Sequence, residues 1–259
     1  MESSYFAIVS ILMGLVVGSF LNVVISRLPS GESVVRPRSR CPRCRKTIAW
    51  HDNIPVLSWL VLRGRCRSCG KPIPVIYPVV ELLTAFLFLA ATLKFGWSPL
   101  LCVRDWPFLA LLVAITFIDL RHRIIPDELS LGGLVLGLAT SWWSPEPGLL
   151  QSAFGAALGF AIFFAFAWGY QALAKRSGLG GGDIKLLAML GAFLGPMGVV
   201  TTIVLSSVIG SVAGLAWAMA ARKRDFMSFA IPYGPFLVLG ALYYYLLGDI
   251  LWLPFTIPT

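Results

Sequence analysis

Apolar residues in this chain come in long runs with few interruptions rather than in the alternation of a half-buried strand. Tyr5 to Ile25, Tyr77 to Leu93, Leu100 to Leu120, Leu129 to Trp143, Gln151 to Ala174 and Ile231 to Trp252 are each near the roughly 20 residues that carry a helix across a bilayer. A further run, Ile184 to Ala221, is broken by one strong turn signal, Gly195, Pro196 and Gly198, which predicts a helical hairpin. Its first arm, Ile184 to Leu194, would be about 17 Å long, short of the roughly 30 Å hydrocarbon core. The only sizeable polar stretch is Arg27 to Ile76. The pattern predicts an all-α polytopic membrane protein with about eight transmembrane helices: a first helix over 1–26, a small polar domain over 27–76 between helices 1 and 2, and a membrane core over 77–259. No internal repeat or low-complexity segment is expected. The first run lacks a basic leader and a small-residue cleavage site, so it is expected to be a retained helix.

Composition agrees with this pattern, since 58% of the 259 residues are hydrophobic and 13% charged. The formal charge of +9 invites a nucleic-acid reading, but its distribution argues against one. Nineteen of the 21 Lys and Arg residues lie in four segments: Arg27 to Lys71, the two residues flanking His122, Lys175–Arg176 with Lys185, and Arg222 to Arg224. If these four face the cytoplasm, the positive-inside bias accounts for the basicity and no nucleic-acid partner is needed. The polar domain is then cytoplasmic, and both ends of the chain are external.

Two carboxylates stand out on this topology. Asp119 closes an inbound helix and Asp183 opens an outbound one directly after Gly180, Gly181 and Gly182, so both sit near the inner face. Charges at the edge of hydrocarbon are costly, and a pair in one low-dielectric site can share a proton, one activating water while the other polarises a carbonyl. Asp183 alone could be an N-cap. Asp119 fits a structural role less well, because an anion at a helix C-terminus opposes the macrodipole. Asp127 and Glu128 follow Pro126 at a helix start, where capping is the expected role. Glu81 lies inside an apolar span, where a salt bridge to the basic loop or a functional role would account for it.

Cys41 and Cys44, then Cys66 and Cys69, form two C-x-x-C knuckles separated by 21 residues, the pattern of a four-thiolate zinc site. Cytoplasmic placement disfavours two disulfides. Four protein ligands leave no open coordination position, so the expected metal is structural. Cys102 is read as packing and His51 as an exposed loop residue.

Six blocks together are similar to the type IV prepilin peptidases: GSFLNVVISRLP, NIPVLSWLVLRGRC, YPVVELLTA, FIDLRHRIIPD, GLGGGDIKLLAMLGAFLG and IPYGPFL. The resemblance implies a GxGD intramembrane aspartic protease with Asp119 and Asp183 as its catalytic pair. It implies cleavage of a short basic leader from prepilins or pseudopilins at the cytoplasmic face of the bacterial inner membrane. It also implies N-methylation of the new N-terminal residue with S-adenosyl-L-methionine as donor, and the four cysteines favour this bifunctional type. Gly181 departs from the bulkier residue of many members. No Rossmann glycine fingerprint is present, so the donor site is expected to be unconventional. Methylation is expected to depend on the region from Arg27 to Glu81, with Gly64 and Glu81 as sensitive positions and Glu81 as a candidate base. Two other classes remain open to the residues alone: a transporter using the aspartates as a proton relay, and a membrane-anchored zinc module binding nucleic acid or anionic lipid through Arg36, Arg38, Arg40, Arg43 and Arg45.

Overall fold

The computed structural model describes residues 2–174, 180–221 and 232–251. Lys175, Arg176, the stretch from Ser177 to Leu179, Arg222 to Arg224, Ile231 and Trp252 lie outside the described residues. Helices dominate, and the only β-structure among the described residues is a pair of isolated bridges. Five helical segments are long and apolar enough to cross a membrane: Ser4–Ser30, Ile76–Phe95, Leu101–His122, Leu149–Ala174 and Gly181–Met219. The chain is an all-α, multi-pass membrane protein. It falls into two compact units, one up to Ala114 and one from Ile115.

The first unit pairs α1 (Glu2–Arg27) with α3 (Ile76–Phe95) in antiparallel fashion. The register is set by polar and small residues. Ser10 meets Thr92 at 2.7 Å, and Asn22 donates to the Tyr77 carbonyl at 3.1 Å. Between them, a Cβ on Gly14 or Gly18 would come 2.4 Å from Ala85 Cα or 2.6 Å from Glu81 Cα, so the backbones approach as closely as small residues allow. The loop between these helices carries the short helix α2 (Leu57–Val61). A π-helical turn at Leu101–Asp105 leads into α4 (Trp106–His122), and Trp106 stacks on Phe88 at 4.9 Å.

The second unit contains the end of α4 with α5 (Asp127–Thr140), α6 (Leu149–Ala174), α7 (Gly181–Ala221) and α8 (Gly234–Leu251). The long α7 is two arms. Gly195 has φ 70° and ψ −175°, a conformation reserved for glycine, and Pro196 follows in the first turn of the second arm, where its missing N–H costs nothing. Close contacts show that the chain reverses there. Gly182 and Gly234 both abut Ile125, so α7 and α8 start at one level. The second arm runs antiparallel to α8, pairing Ser206 with Tyr233, Thr202 with Gly240 and Gly198 with Tyr244. It is therefore antiparallel to the first arm as well, and the expected hairpin at Gly195 is present. The first arm begins three residues before Ile184, which lengthens it to about 21 Å over 181–194. It packs on α6, where the backbones of Gly155 and Gly191 are so close that a Cβ on either would strike the other's carbonyl oxygen.

Candidate functional site

Asp119 lies in the last turn of α4 and is 5% exposed. Its Oδ2 accepts the backbone N–H of Gly234, the first residue of α8, at 3.0 Å. The unfavourable end of the α4 dipole is thus met by the favourable end of another helix, which answers why an anion can sit at this C-terminus. A Cβ on residue 234 would stand 2.7 Å from the same oxygen and 3.4 Å from Ile125 Cδ1, so only glycine brings its N–H to the carboxylate undisturbed.

Asp183 is half-buried in the first turn of α7, and its own N–H donates to the Gly180 carbonyl at 3.1 Å. The negative charge of Asp119 is near enough to act on Asp183 directly. The glycines before Asp183 have separate roles. At 180 a Cβ would crowd Asp183 Oδ2 at 3.1 Å, and at 182 it would press on Ile125 Cβ at 3.0 Å. At 181 nothing lies within 4 Å, so the departure from the family pattern at Gly181 falls where any side chain has room. Two acidic groups 64 residues apart are therefore brought together by α4, α7 and the start of α8. The site can hold one carboxylate ready to take a proton from water and another to donate one.

Asp127 needs a correction. The N-cap of α5 is Pro126, which offers no side-chain oxygen, and both Asp127 oxygens instead accept from Lys185 Nζ at 2.7 Å. Both partners are exposed enough that this ion pair is a modest brace between α5 and α7.

In the first unit the four cysteines meet as the spacing predicts. All are free thiols, and their Sγ atoms lie within 4.8 Å of one another, with Cys41 and Cys69 3.9 Å apart. Zn–S bonds of about 2.3 Å in a tetrahedron give sulfur separations of about 3.8 Å, so the donor set fits a zinc ion. The thiols also conflict without a cation. Burial opposes the Cys41 thiolate, but the Cys44 and Arg43 N–H groups and the neighbouring thiols outweigh it and bring Cys41 down to about 7. At Cys69 the Lys71 N–H favours the thiolate, but burial and the other three thiols push it up to about 11.

The two knuckles are copies of each other, which corrects the expectation of no internal repeat. Residues 39–48 and 64–73 share Arg40/Arg65, the cysteine pairs, Lys46/Lys71 and Ile48/Ile73. Cys41 and Cys66 N–H donate to the Lys46 and Lys71 carbonyls, and Ile48 and Ile73 N–H donate to the Ser39 and Gly64 carbonyls. Arg45 at φ 59° and Gly70 at φ 65° occupy the same left-handed position. Arg67 clamps Asp52 with two nitrogens at 2.7–3.1 Å, and this hydrogen-bonded cation holds the Asp52 carboxyl below the usual range.

Glu81 is 7% exposed. The expected salt bridge to the basic loop is replaced by two hydrogen bonds, from the Val56 N–H at 2.7 Å and from Ser19. Val56 has φ 59°, an uncommon backbone state for a β-branched residue, and Glu81 holds it there. Gly64 is left-handed at φ 65°, and a Cβ there would press on the Trp59 ring at 3.0 Å. The contributions of Gly234, Ile125, Lys185 and Val56 were not anticipated from the sequence. Gly234 lies in the IPYGPFL block, but nothing in that block names a partner 115 residues away.

Residues 12–95 match the Bacterial Peptidase A24 N-terminal domain, and 106–215 match the Type IV leader peptidase family. A prepilin leader peptidase/N-methyltransferase of Myxococcus xanthus is 45% identical over 84% of this chain and 65% of its own length, so the chain spans just under two thirds of that relative. One of Aeromonas hydrophila is 39% identical over 95% of this chain and 91% of its own. A type 4 prepilin-like proteins leader peptide-processing enzyme of Escherichia coli is 38% identical over 88% and 89%. No solved structure matches. With both family segments present in order and long relatives aligned nearly end to end, the chain belongs to the type IV prepilin leader peptidase/N-methyltransferase family.

Proposed function

We propose that this protein cleaves the basic leader from type IV prepilins or pseudopilins with Asp119 and Asp183, and then N-methylates the residue it exposes. The observation that carries the reading is the pairing of two acidic residues through separate helix ends: Asp119 fixed by the Gly234 N–H, and Asp183 fixed behind Gly180 and Gly182. The ionised member takes a proton from water as the oxygen attacks the scissile carbonyl. The protonated member donates to the carbonyl oxygen. As the tetrahedral intermediate collapses, the first aspartate passes the proton it took from water to the departing amine and the second recovers its proton from the intermediate's hydroxyl, so the proton count closes on two aspartates. A relay transporter would need carboxylates at several depths, whereas Asp119 and Asp183 share one level beside Ile125.

We further propose eight crossings: α1, α3, α4, α5, α6, the two arms of α7, and α8. The cysteine domain over 27–76 and both aspartates face the cytoplasm in this scheme, and 77–259 forms the peptidase core. The charge distribution supports this orientation. Cys41, Cys44, Cys66 and Cys69 would hold a structural zinc ion, whose chemistry is to neutralise four thiolates and tie the two knuckles together. Methylation is assigned to the cysteine domain and the adjoining start of α3. Glu81 and Gly64 act there as positioning residues, Glu81 by holding Val56 and Gly64 by seating Trp59. Their polar groups are satisfied within the protein, so they build this region rather than hold the methyl donor.

The test is the purified protein in lipid with a prepilin-like substrate, its products identified by mass. Cleaved, unmethylated product without S-adenosyl-L-methionine and cleaved, methylated product with it are expected. An intact substrate under both conditions would overturn the proposal.

A further inference from the structure

We infer that the segment carrying Trp50 and α2 is a membrane-embedded foot, its apolar face sunk among acyl chains and the arginines that follow it bound to anionic phospholipid headgroups. The first observation is depth. The Val56 N–H, one residue before α2, is bonded to Glu81 Oε2 at 2.7 Å, and Glu81 packs against Gly18 of α1. Glu81 is five residues inside α3, about 7 to 8 Å along a helix that is itself a membrane span. The loop that looks like part of a water-soluble domain in the sequence thus returns alongside α1 and α3 to a level within their apolar length. Helices that lie in the interface sit at about 5–10 Å.

The second observation is the face that α2 presents. Leu57, Leu60 and Val61 follow the i, i+3, i+4 spacing of one helical face and are 54%, 58% and 67% exposed, while Ser58 and Trp59 turn inward. Ser58 is buried and bonded to the His51 carbonyl, and Trp59 Nε1 donates to the Ile73 carbonyl at 3.2 Å. The orientation of α2 is therefore fixed by the second knuckle. Trp50, 75% exposed, adds the amphipathic ring that favours a headgroup boundary.

The third observation is charge. Arg63 and Arg65 leave the end of α2 exposed, while Arg67 is consumed by Asp52. Between residues 27 and 76 there are eleven Lys and Arg but only two acidic residues, Glu32 and Asp52. An apolar face at interfacial depth beside unpaired cationic charge fits an anionic lipid leaflet better than it fits water.

The experiment places the photo-crosslinker p-benzoylphenylalanine at Leu60, and separately at Ser68 of the second knuckle, in the full-length, zinc-loaded protein. Each variant is reconstituted in vesicles of phosphatidylethanolamine and phosphatidylglycerol, or of phosphatidylcholine alone, and adducts are read by mass. Zinc content reports the fold, and Val61 replaces Leu60 if that variant loses zinc. Expected are lipid adducts at Leu60 in both bilayers, about tenfold above Ser68, as a face among acyl chains requires. Phosphatidylglycerol should be recovered above its share of the bilayer, and Arg63→Gln with Arg65→Gln should remove that enrichment while keeping the adduct. Cross-links from Leu60 only to protein, or a lipid yield no higher than at Ser68, would overturn the foot. Recovery of phosphatidylglycerol in proportion to its abundance would overturn headgroup binding.

Discussion

Replacing Gly234 by Ala isolates the contact that holds Asp119. The residue is in the first turn of α8 with ordinary helical backbone, so alanine is the better helix former there by about 1 kcal/mol. The harm must come from space. The new Cβ would sit 2.7 Å from Asp119 Oδ2, and ordinary contact begins near 3.4 Å, so the carboxylate has to retreat by about 0.7 Å (3.4 less 2.7) or the N–H must turn away. A misplacement of about 1 Å at a reacting group costs on the order of 100-fold, so we expect Gly234→Ala to lower kcat for leader cleavage by about 10- to 100-fold with little change in KM. Two controls separate this from a packing defect. Gly181→Ala has open space and should cleave normally. Gly240→Ala would bring a Cβ to 2.8 Å from the Thr202 carbonyl oxygen, away from the aspartates, and should cost about 1–3 kcal/mol of stability without a selective loss of kcat. The assay is steady-state cleavage of a prepilin-like peptide by purified enzyme in lipid, with thermal unfolding in parallel. Cleavage by Gly234→Ala at the wild-type rate would refute the positioning role.

Elemental analysis should find one zinc per chain, and Cys69→Ser should lose it together with the fold of residues 39–73; two disulfides and no metal would contradict both the site and the cytoplasmic placement. Glu81→Gln keeps an oxygen for the Val56 N–H and should preserve the fold, whereas Glu81→Leu strands that N–H and should destabilise by about 1–3 kcal/mol. In Glu81→Leu methylation should fall further than cleavage, read as the ratio of methylated to unmethylated product, and in Glu81→Gln that ratio should stay near the wild-type value. Asp127→Asn removes one side of an exposed ion pair, worth about 1 kcal/mol or less, and should retain most cleavage activity.

The parts legible in the sequence are those whose signal is local. Two C-x-x-C knuckles predict four converging thiols because each pair is fixed by its own tight turn, and runs of apolar residues predict spanning helices because a bilayer demands length. The hairpin at Gly195 was readable for the same reason, as glycine and proline act on the backbone where they stand. The repeat between residues 39–48 and 64–73 was hidden, because the left-handed position that Gly70 advertises in one copy is filled by Arg45 in the other. What depends on tertiary packing left almost no trace. Glu81 looked like a partner for basic residues, but its acceptor is used by a backbone N–H that only the return of the loop along α3 supplies. Asp127 looked like a cap because nothing local points to Lys185, 58 residues on. The placement of Asp119 conflicted with its own helix dipole, and that conflict was the one sequence signal that a distant donor had to exist.

The central claim is that Asp119 and Asp183 together perform the cleavage while methylation is housed elsewhere. It is tested most directly by giving Asp119→Asn and Asp183→Asn enzymes two substrates, an intact prepilin-like peptide and the same peptide already cut, with S-adenosyl-L-methionine present. Each substitution removes an ionisable carboxyl group at nearly constant shape. The account predicts no detectable cleavage by either variant and undiminished methylation of the pre-cut peptide by both. Cleavage surviving in either variant, while the pre-cut peptide is methylated normally, would contradict it.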